Sequence, residues 1–147
     1  MTTISAAFNL ADVFVSHARE QPDAPAFTFL GPRGECTAHL SYGELESRTR
    51  VVALSLLARI GKGERAILLL PSGLPFITAF LACLRAGVIA VPCSVPENQQ
   101  SLARLRGLVL DSGAQWILST ESVIAEQLPR TEVVAILPHP YRADVEG

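Results

Sequence analysis

The sequence predicts an α/β fold: a mostly parallel sheet with helices on both faces, preceded by an N-terminal helix and a β-hairpin. Three observations carry that expectation. Short aliphatic runs at 65–70, 88–91, 115–118 and 132–137 are apolar with little alternation, the pattern of strands covered on both faces. Helix-length segments separate these runs, and strands alternating with helices imply parallel pairing through right-handed crossovers. The length of 147 residues leaves room for one ordinary domain, read here as a single unit over 1–147 with a loose tail from about 138.

Taken in order, Asn9 suits a helix N-cap, with Leu10, Val13, Phe14 and His17 on one helical face and Asp12 in the first turn. Pro22 marks the end of that helix. The apolar, aromatic run 26–30 and the extended run 36–40 flank Gly31-Pro32-Arg33-Gly34, whose turn chemistry predicts a hairpin. Ser41-Tyr42-Gly43-Glu44 has the form of a capping box, in which hydroxyl and carboxylate satisfy backbone donors reciprocally. Behind it Leu45, Val52, Leu56 and Ile60 recur at helical spacing, with Glu46, Arg48, Arg50 and Arg59 on the polar side and Gly61 as the stop.

After the strand at 65–70, Pro71-Ser72-Gly73 turns the chain into a helix running to about Leu84 with almost no polar face. The strand at 88–91 is ended by Pro92, and Leu102, Leu105, Leu108 and Val109 mark a further helix closed by Gly113. The strand at 115–118 is followed by Thr120, which caps a short helix to about Leu128, and the run 132–137 is the last strand.

Composition narrows the function classes. Hydrophobic content of 49% against 18% charged excludes intrinsic disorder. Twelve basic and fourteen acidic residues give a net charge of -2, so no electrostatic case for nucleic acid exists. Lys62 is the only lysine. Cys36, Cys83 and Cys93 are odd in number without C-x-x-C spacing, which disfavours a disulfide framework or zinc site and points to a reducing, cytoplasmic compartment. No basic residue precedes the first apolar stretch, so the start does not read as a signal peptide. Residues 66–84 carry no charge, yet Pro71, Ser72, Gly73 and Pro75 interrupt them. Proline inside a helix costs about 3 kcal/mol or more, so strand, loop and buried helix replace a membrane span.

In open parallel sheets ligands sit at the carboxyl ends of the strands. The residues expected there are Pro71-Ser72-Gly73, Pro92-Cys93-Ser94, Ser119-Thr120 and Pro138-His139. Neither G-x-G-x-x-G nor G-x-x-x-x-G-K-[ST] occurs, so no phosphate cradle of known type is present. Gly61-Lys62-Gly63 leads from helix into strand, the wrong polarity for phosphate at a helix amino terminus, and reads as a surface turn. Ser72, with Gly73, is the best generic anion-binding candidate because it precedes a helix; the plainer reading is that Ser72 caps that helix. It is not a nucleophile elbow, because G-x-S-x-G is missing.

His17, His39 and His139 are far apart and lack neighbours at metal spacing, so no metal site is expected. Cys83 reads as core, whereas Cys93 at a strand end is the cysteine with a chance of reactivity. Trp116 reads as packing, Arg85 as a complement to the helix dipole, and Arg104 and Arg106 as a solvated helix side.

Several segments resemble a family. Leu40-Ser41-Tyr42-Gly43-Glu44-Leu45 is similar to the L-[TS]-Y-x-E-L segment near the start of adenylate-forming enzymes, the acyl-CoA synthetase superfamily. Leu84-Arg85-Ala86-Gly87-Val88-Ile89-Ala90-Val91-Pro92 resembles its L-x-A-G-x-x-x-V-P segment. Leu68-Leu69-Leu70-Pro71-Ser72-Gly73-Leu74, with Phe76, Ile77 and Phe80, resembles the fatty acyl-AMP ligase branch, as does His17-Ala18-Arg19-Glu20-Gln21-Pro22-Asp23-Ala24-Pro25-Ala26-Phe27. Cys93-Ser94-Val95-Pro96 departs from the proline-rich run usual after V-P.

The resemblance implies ATP- and Mg²⁺-dependent activation of a fatty acid to an acyl-adenylate with release of pyrophosphate. The acyl group then passes to an acyl carrier protein or to CoA. It also implies that the chain corresponds to an incomplete N-terminal subdomain. The family's Ser/Thr/Gly-rich phosphate loop, its adenine- and ribose-contacting motifs and its catalytic lysine belong to segments downstream of those matched, and Lys62 matches none of them. No catalytic or metal residue carries over, and no cofactor is expected for this chain alone. Stabilising charge on a transferring phosphoryl group takes pre-placed donors and cations, so the chain is expected to be inactive by itself. Alternatives open at this point are a non-catalytic interaction module, a subunit of a split enzyme that associates with the missing part or with itself, and a small stand-alone nucleotide-binding protein.

Overall fold

The computed structural model describes residues 9–120 together with 123, 135 and 136. Its elements are α1 (Leu10–Glu20), β1 (Pro25–Leu30), β2 (Cys36–Ser41), α2 (Tyr42–Leu57), β3 (Arg65–Leu69), α3 (Leu74–Ala86), β4 (Ile89–Cys93), α4 (Gln99–Ser112), β5 (Trp116–Ser119) and β6 (Ala135–Ile136). β1 and β2 form an antiparallel hairpin. The other strands form one sheet in the order β4-β3-β5-β6 with every pairing parallel.

β3 lies inside the sheet, and its side chains divide between two cores. Ala66, Leu68 and Leu70 pack with Val52, Leu56, Ala79, Ala82 and Cys83 from α2 and α3. Ile67 and Leu69 pack on the other face with Ile117 and with Leu105 of α4. Covering on both faces explains why β3 reads as one unbroken aliphatic run. A third cluster of Phe14, Leu45 and Leu81 fastens α1 to α2 and α3.

The capping box of α2 forms as the sequence predicts. Glu44 N–H donates to Ser41 Oγ at 3.2 Å and Ser41 N–H donates to the Glu44 carboxylate at 2.9 Å. Those bonds from Ser41 hold the Glu44 carboxyl below its ordinary range, the backbone bond contributing most. The Asn9 side chain likewise accepts from Asp12 N–H.

Four expectations need correction. The buried face of α1 is Ala11, Phe14 and Ala18, while Leu10 and Val13 are exposed; small alanines allow closer approach than the larger residues of the neighbouring stripe. α2 ends at Leu57 rather than running to Gly61, because Ile60 N–H bonds back to Leu56 O and folds Ile60 into the core. Its outer side is also not uniformly polar, since Val51, Leu54 and Leu57 are exposed there. Finally, β4 continues through Pro92 to Cys93. β4 lies at the edge of the described sheet, where a residue without an N–H is tolerated.

Val123 N–H lies 3.4 Å from Thr120 Oγ1, which agrees with the predicted cap. The helix expected to about Leu128 and the tail from about 138 lie outside the described residues, except for Val123. Of the strand expected at 132–137, Ala135–Ile136 is described and pairs with β5.

Candidate functional site

β3 and β4 run side by side and end together, with Leu68 opposite Pro92 and Leu69 opposite Cys93. Beyond β3 the chain passes through Leu70, Pro71 and Ser72 into α3; beyond β4 it passes through Ser94, Val95 and Pro96 towards α4. The residues of these two exits line a half-open cleft of about 540 Å³. Leu70, Phe76, Val95 and Val123 give it apolar walls, and Pro71, Pro92 and Cys93 complete the floor and sides. The hydroxyls are those of Ser72 and Ser94, and Glu97 is the one charged residue among the described lining residues. Its position at the carboxyl ends is where open parallel sheets place ligands.

Two further features shape this end. Gly73 has φ 131° and ψ -156°, a region closed to side chains, so glycine alone makes the turn from β3 into α3 without strain. Gly73, not Ser72, is the N-cap of α3, and no side chain caps that terminus. Capping by Ser72 is therefore ruled out by the backbone: the helix starts one residue later than a serine cap requires. Ser72 sits exposed on the cleft wall instead.

The thiols divide by environment. Burial pushes Cys83 up to about 12, which fits a core residue with no nucleophilic role. Burial also raises the Cys93 thiol, so its placement on the cleft comes with a diminished thiolate fraction. Cys36 is exposed on the hairpin, away from both. The ring of His17 stacks at 5.4 Å on Tyr42, His39 is exposed on β2, and His139 lies outside the described residues. Among the described residues no group of three His, Cys, Asp or Glu could hold a metal ion.

The polar contacts that sequence reasoning missed lie elsewhere. Arg85 reaches from the last turn of α3 to α2, donating to Glu46 O at 3.1 Å, Thr49 Oγ1 at 3.0 Å and Glu46 Oε1 at 3.1 Å. Both ends of the ion pair are over four-fifths buried. Glu64 Oε2 accepts from Gly61 N–H at 2.8 Å and from Trp116 Nε1–H at 3.1 Å. Trp116 packs against the core, as expected, and also has this partner. Lys62 lies over Gly87, where a Cβ would come within 2.8 Å of its Cγ; that is the amino end of β4, away from the cleft. An i,i+39 pair such as Glu46–Arg85 leaves no local spacing signal, which is why the motif search did not find it.

Polyphosphate needs cations and clustered N–H donors. Two hydroxyls and one carboxylate in the cleft are the wrong set, so the described lining residues do not fit ATP with Mg²⁺, and no phosphoryl-transfer step is assigned to them.

Comparison with known proteins identifies the scaffold. A family model described as AMP-binding enzyme matches residues 14–145. The chain belongs to the AMP-binding enzyme family. It is 35% identical over 113 residues to the medium-chain-fatty-acid–acyl-carrier-protein ligase JamA of Moorena producens, covering 75% of this chain and 19% of that protein. It is 34% identical over 112 residues to the long-chain-fatty-acid–AMP ligase FadD23 of Mycobacterium tuberculosis, covering 74% of this chain and 19% of the relative. Among solved structures, the fatty acyl-adenylate ligase from L. pneumophila, in complex with acyl adenylate and pyrophosphate, superposes with a TM-score of 0.78 at 31% identity. That match covers 87% of this chain and 23% of the other. The chain thus spans about a fifth of the length of the relatives it matches. No helix among the described residues is long and apolar enough to cross a membrane.

Proposed function

We propose that this chain supplies the N-terminal framework of an ATP-dependent fatty acyl-AMP ligase and does not adenylate a fatty acid by itself. The observation that carries this reading is the donor set at the strand ends: the family match spans 14–145, yet the cleft offers a single carboxylate and no cation among its described lining residues. Charge developing on a transferring phosphoryl group would find nothing there to stabilise it. In the complete enzyme, ATP, Mg²⁺ and the downstream segments would supply that stabilisation. The reaction would join a fatty acid to AMP and release pyrophosphate, with an acyl carrier protein as the favoured acceptor, in keeping with the names of JamA and the L. pneumophila ligase. The three unpaired thiols favour work in the cytoplasm.

The test is a chimera in which this chain replaces the matching first fifth of the L. pneumophila ligase. Acyl-adenylate formation by the chimera supports the framework role, and a folded chimera without activity argues against it. A second reading, a partner-binding subunit, is favoured by exposed Val51, Leu54 and Leu57 on α2; concentration-dependent self-association of the isolated chain would support it over the first.

A further inference from the structure

We infer that the cleft at the carboxyl ends of β3 and β4 is a subsite for an uncharged alkyl chain. The inference rests on the proposed ligase reading only for the source of that chain, a fatty acid or its acyl group. It goes beyond that reading in assigning the contact to residues of this framework. Three properties of the cleft point the same way. Its volume of about 540 Å³ lies within the range of small-molecule sites, which run from about 300 to 1,000 Å³. Its walls are Leu70, Phe76, Val95 and Val123, and Phe76 is held in place by stacking on Phe80 with ring centroids 6.0 Å apart. Its one charge is negative, Glu97, so a carboxylate or phosphate head group is repelled from the interior and the tail enters first.

Phe76 and Leu70 are themselves anchored in the core shared by α2, α3 and β3. That anchoring makes the wall preformed, and a chain entering it displaces water from apolar surface without ordering a loop. The contribution then grows with each methylene buried.

Cys93 on the wall and Cys36 on the hairpin provide a built-in comparison, because both are thiols of the same chain and only one lines the cleft. The intact chain is treated with N-alkylmaleimides from methyl to octyl, and the two rates are read by mass spectrometry. The ratio of the Cys93 rate to the Cys36 rate is expected to rise about tenfold across the series. Free decanoate should then slow Cys93 and leave Cys36 unchanged, and ATP should slow neither. Val95→Asp, with folding checked by Trp116 fluorescence, should flatten the series by placing a second carboxylate in the wall. A flat ratio in the parent chain overturns the subsite, and so does failure of Cys93 to react at any chain length. Protection by ATP instead of decanoate overturns it in favour of a nucleotide site. These outcomes are independent of the chimera, which can be active with or without an alkyl contact at this cleft.

Discussion

The two ends of the parallel sheet are built differently. At the amino ends, Glu64 joins three segments: its carboxylate holds Gly61 and Trp116, and its carbonyl accepts Ile89 N–H at 2.8 Å. Gly63 N–H bonds to Gly87 O at 2.8 Å beside it, and Arg85 ties the end of α3 to α2. At the carboxyl ends the exits from β3 and β4 diverge around a cleft whose walls are mostly apolar, and α3 begins at a glycine with no side-chain cap. One end spends its polar groups on internal bonds, while the other leaves its surface for a ligand. The contrast assigns stability to the first end and binding to the second, consistent with ligands sitting at the carboxyl edge of such sheets.

Substitutions can break or sharpen that contrast. The largest effect is expected from Arg85→Met, which strands the half-buried Glu46 carboxylate and removes three hydrogen bonds. A loss of about 2 kcal/mol in urea unfolding is predicted, discounted for the remaining exposure of the pair. Glu64→Ala comes next, with about 1–2 kcal/mol lost and a change in Trp116 fluorescence as its indole N–H loses its partner.

Ser41→Ala, remote from both ends, calibrates the scale at about 1 kcal/mol through loss of the capping box. Its effect depends on pH with a definite sign. The folded-state pKa of Glu44 lies below the unfolded value, so its stabilisation is present above the unfolded pKa and lost as pH falls through the folded one. The gap between parent and Ser41→Ala unfolding midpoints should therefore narrow on acidification below the ordinary glutamate range. Ser72→Ala is expected to be the smallest, within about 0.5 kcal/mol of the parent, because Gly73 and not Ser72 occupies the N-cap. A loss near that of Ser41→Ala would contradict the cap assignment and blur the distinction between the two ends.

How far the sequence speaks for each end follows from the range of the interactions. The aliphatic runs at β3 and β5, the capping box at Ser41 and the turn at Gly31-Pro32-Arg33-Gly34 are local patterns, and each forms where expected. The family segments around Tyr42 and Gly87 are likewise contiguous. The stripe of α1 was misplaced by one position because alanines carry a weak hydrophobic signal beside Leu10 and Val13. The Arg85–Glu46 and Trp116–Glu64 bonds span 39 and 52 residues, and only the folded chain brings them together. The cleft was half legible: Pro71, Ser72, Pro92 and Cys93 were placed at strand ends by counting, but Val95, Glu97 and Val123 join them through loop geometry that no spacing encodes.

The framework account is tested most directly by ATP–pyrophosphate exchange with a purified fatty acid and the chain alone. It predicts exchange no faster than in a blank without protein. Sustained exchange that depends on the fatty acid would contradict it, because the residues here would then be handling the triphosphate after all.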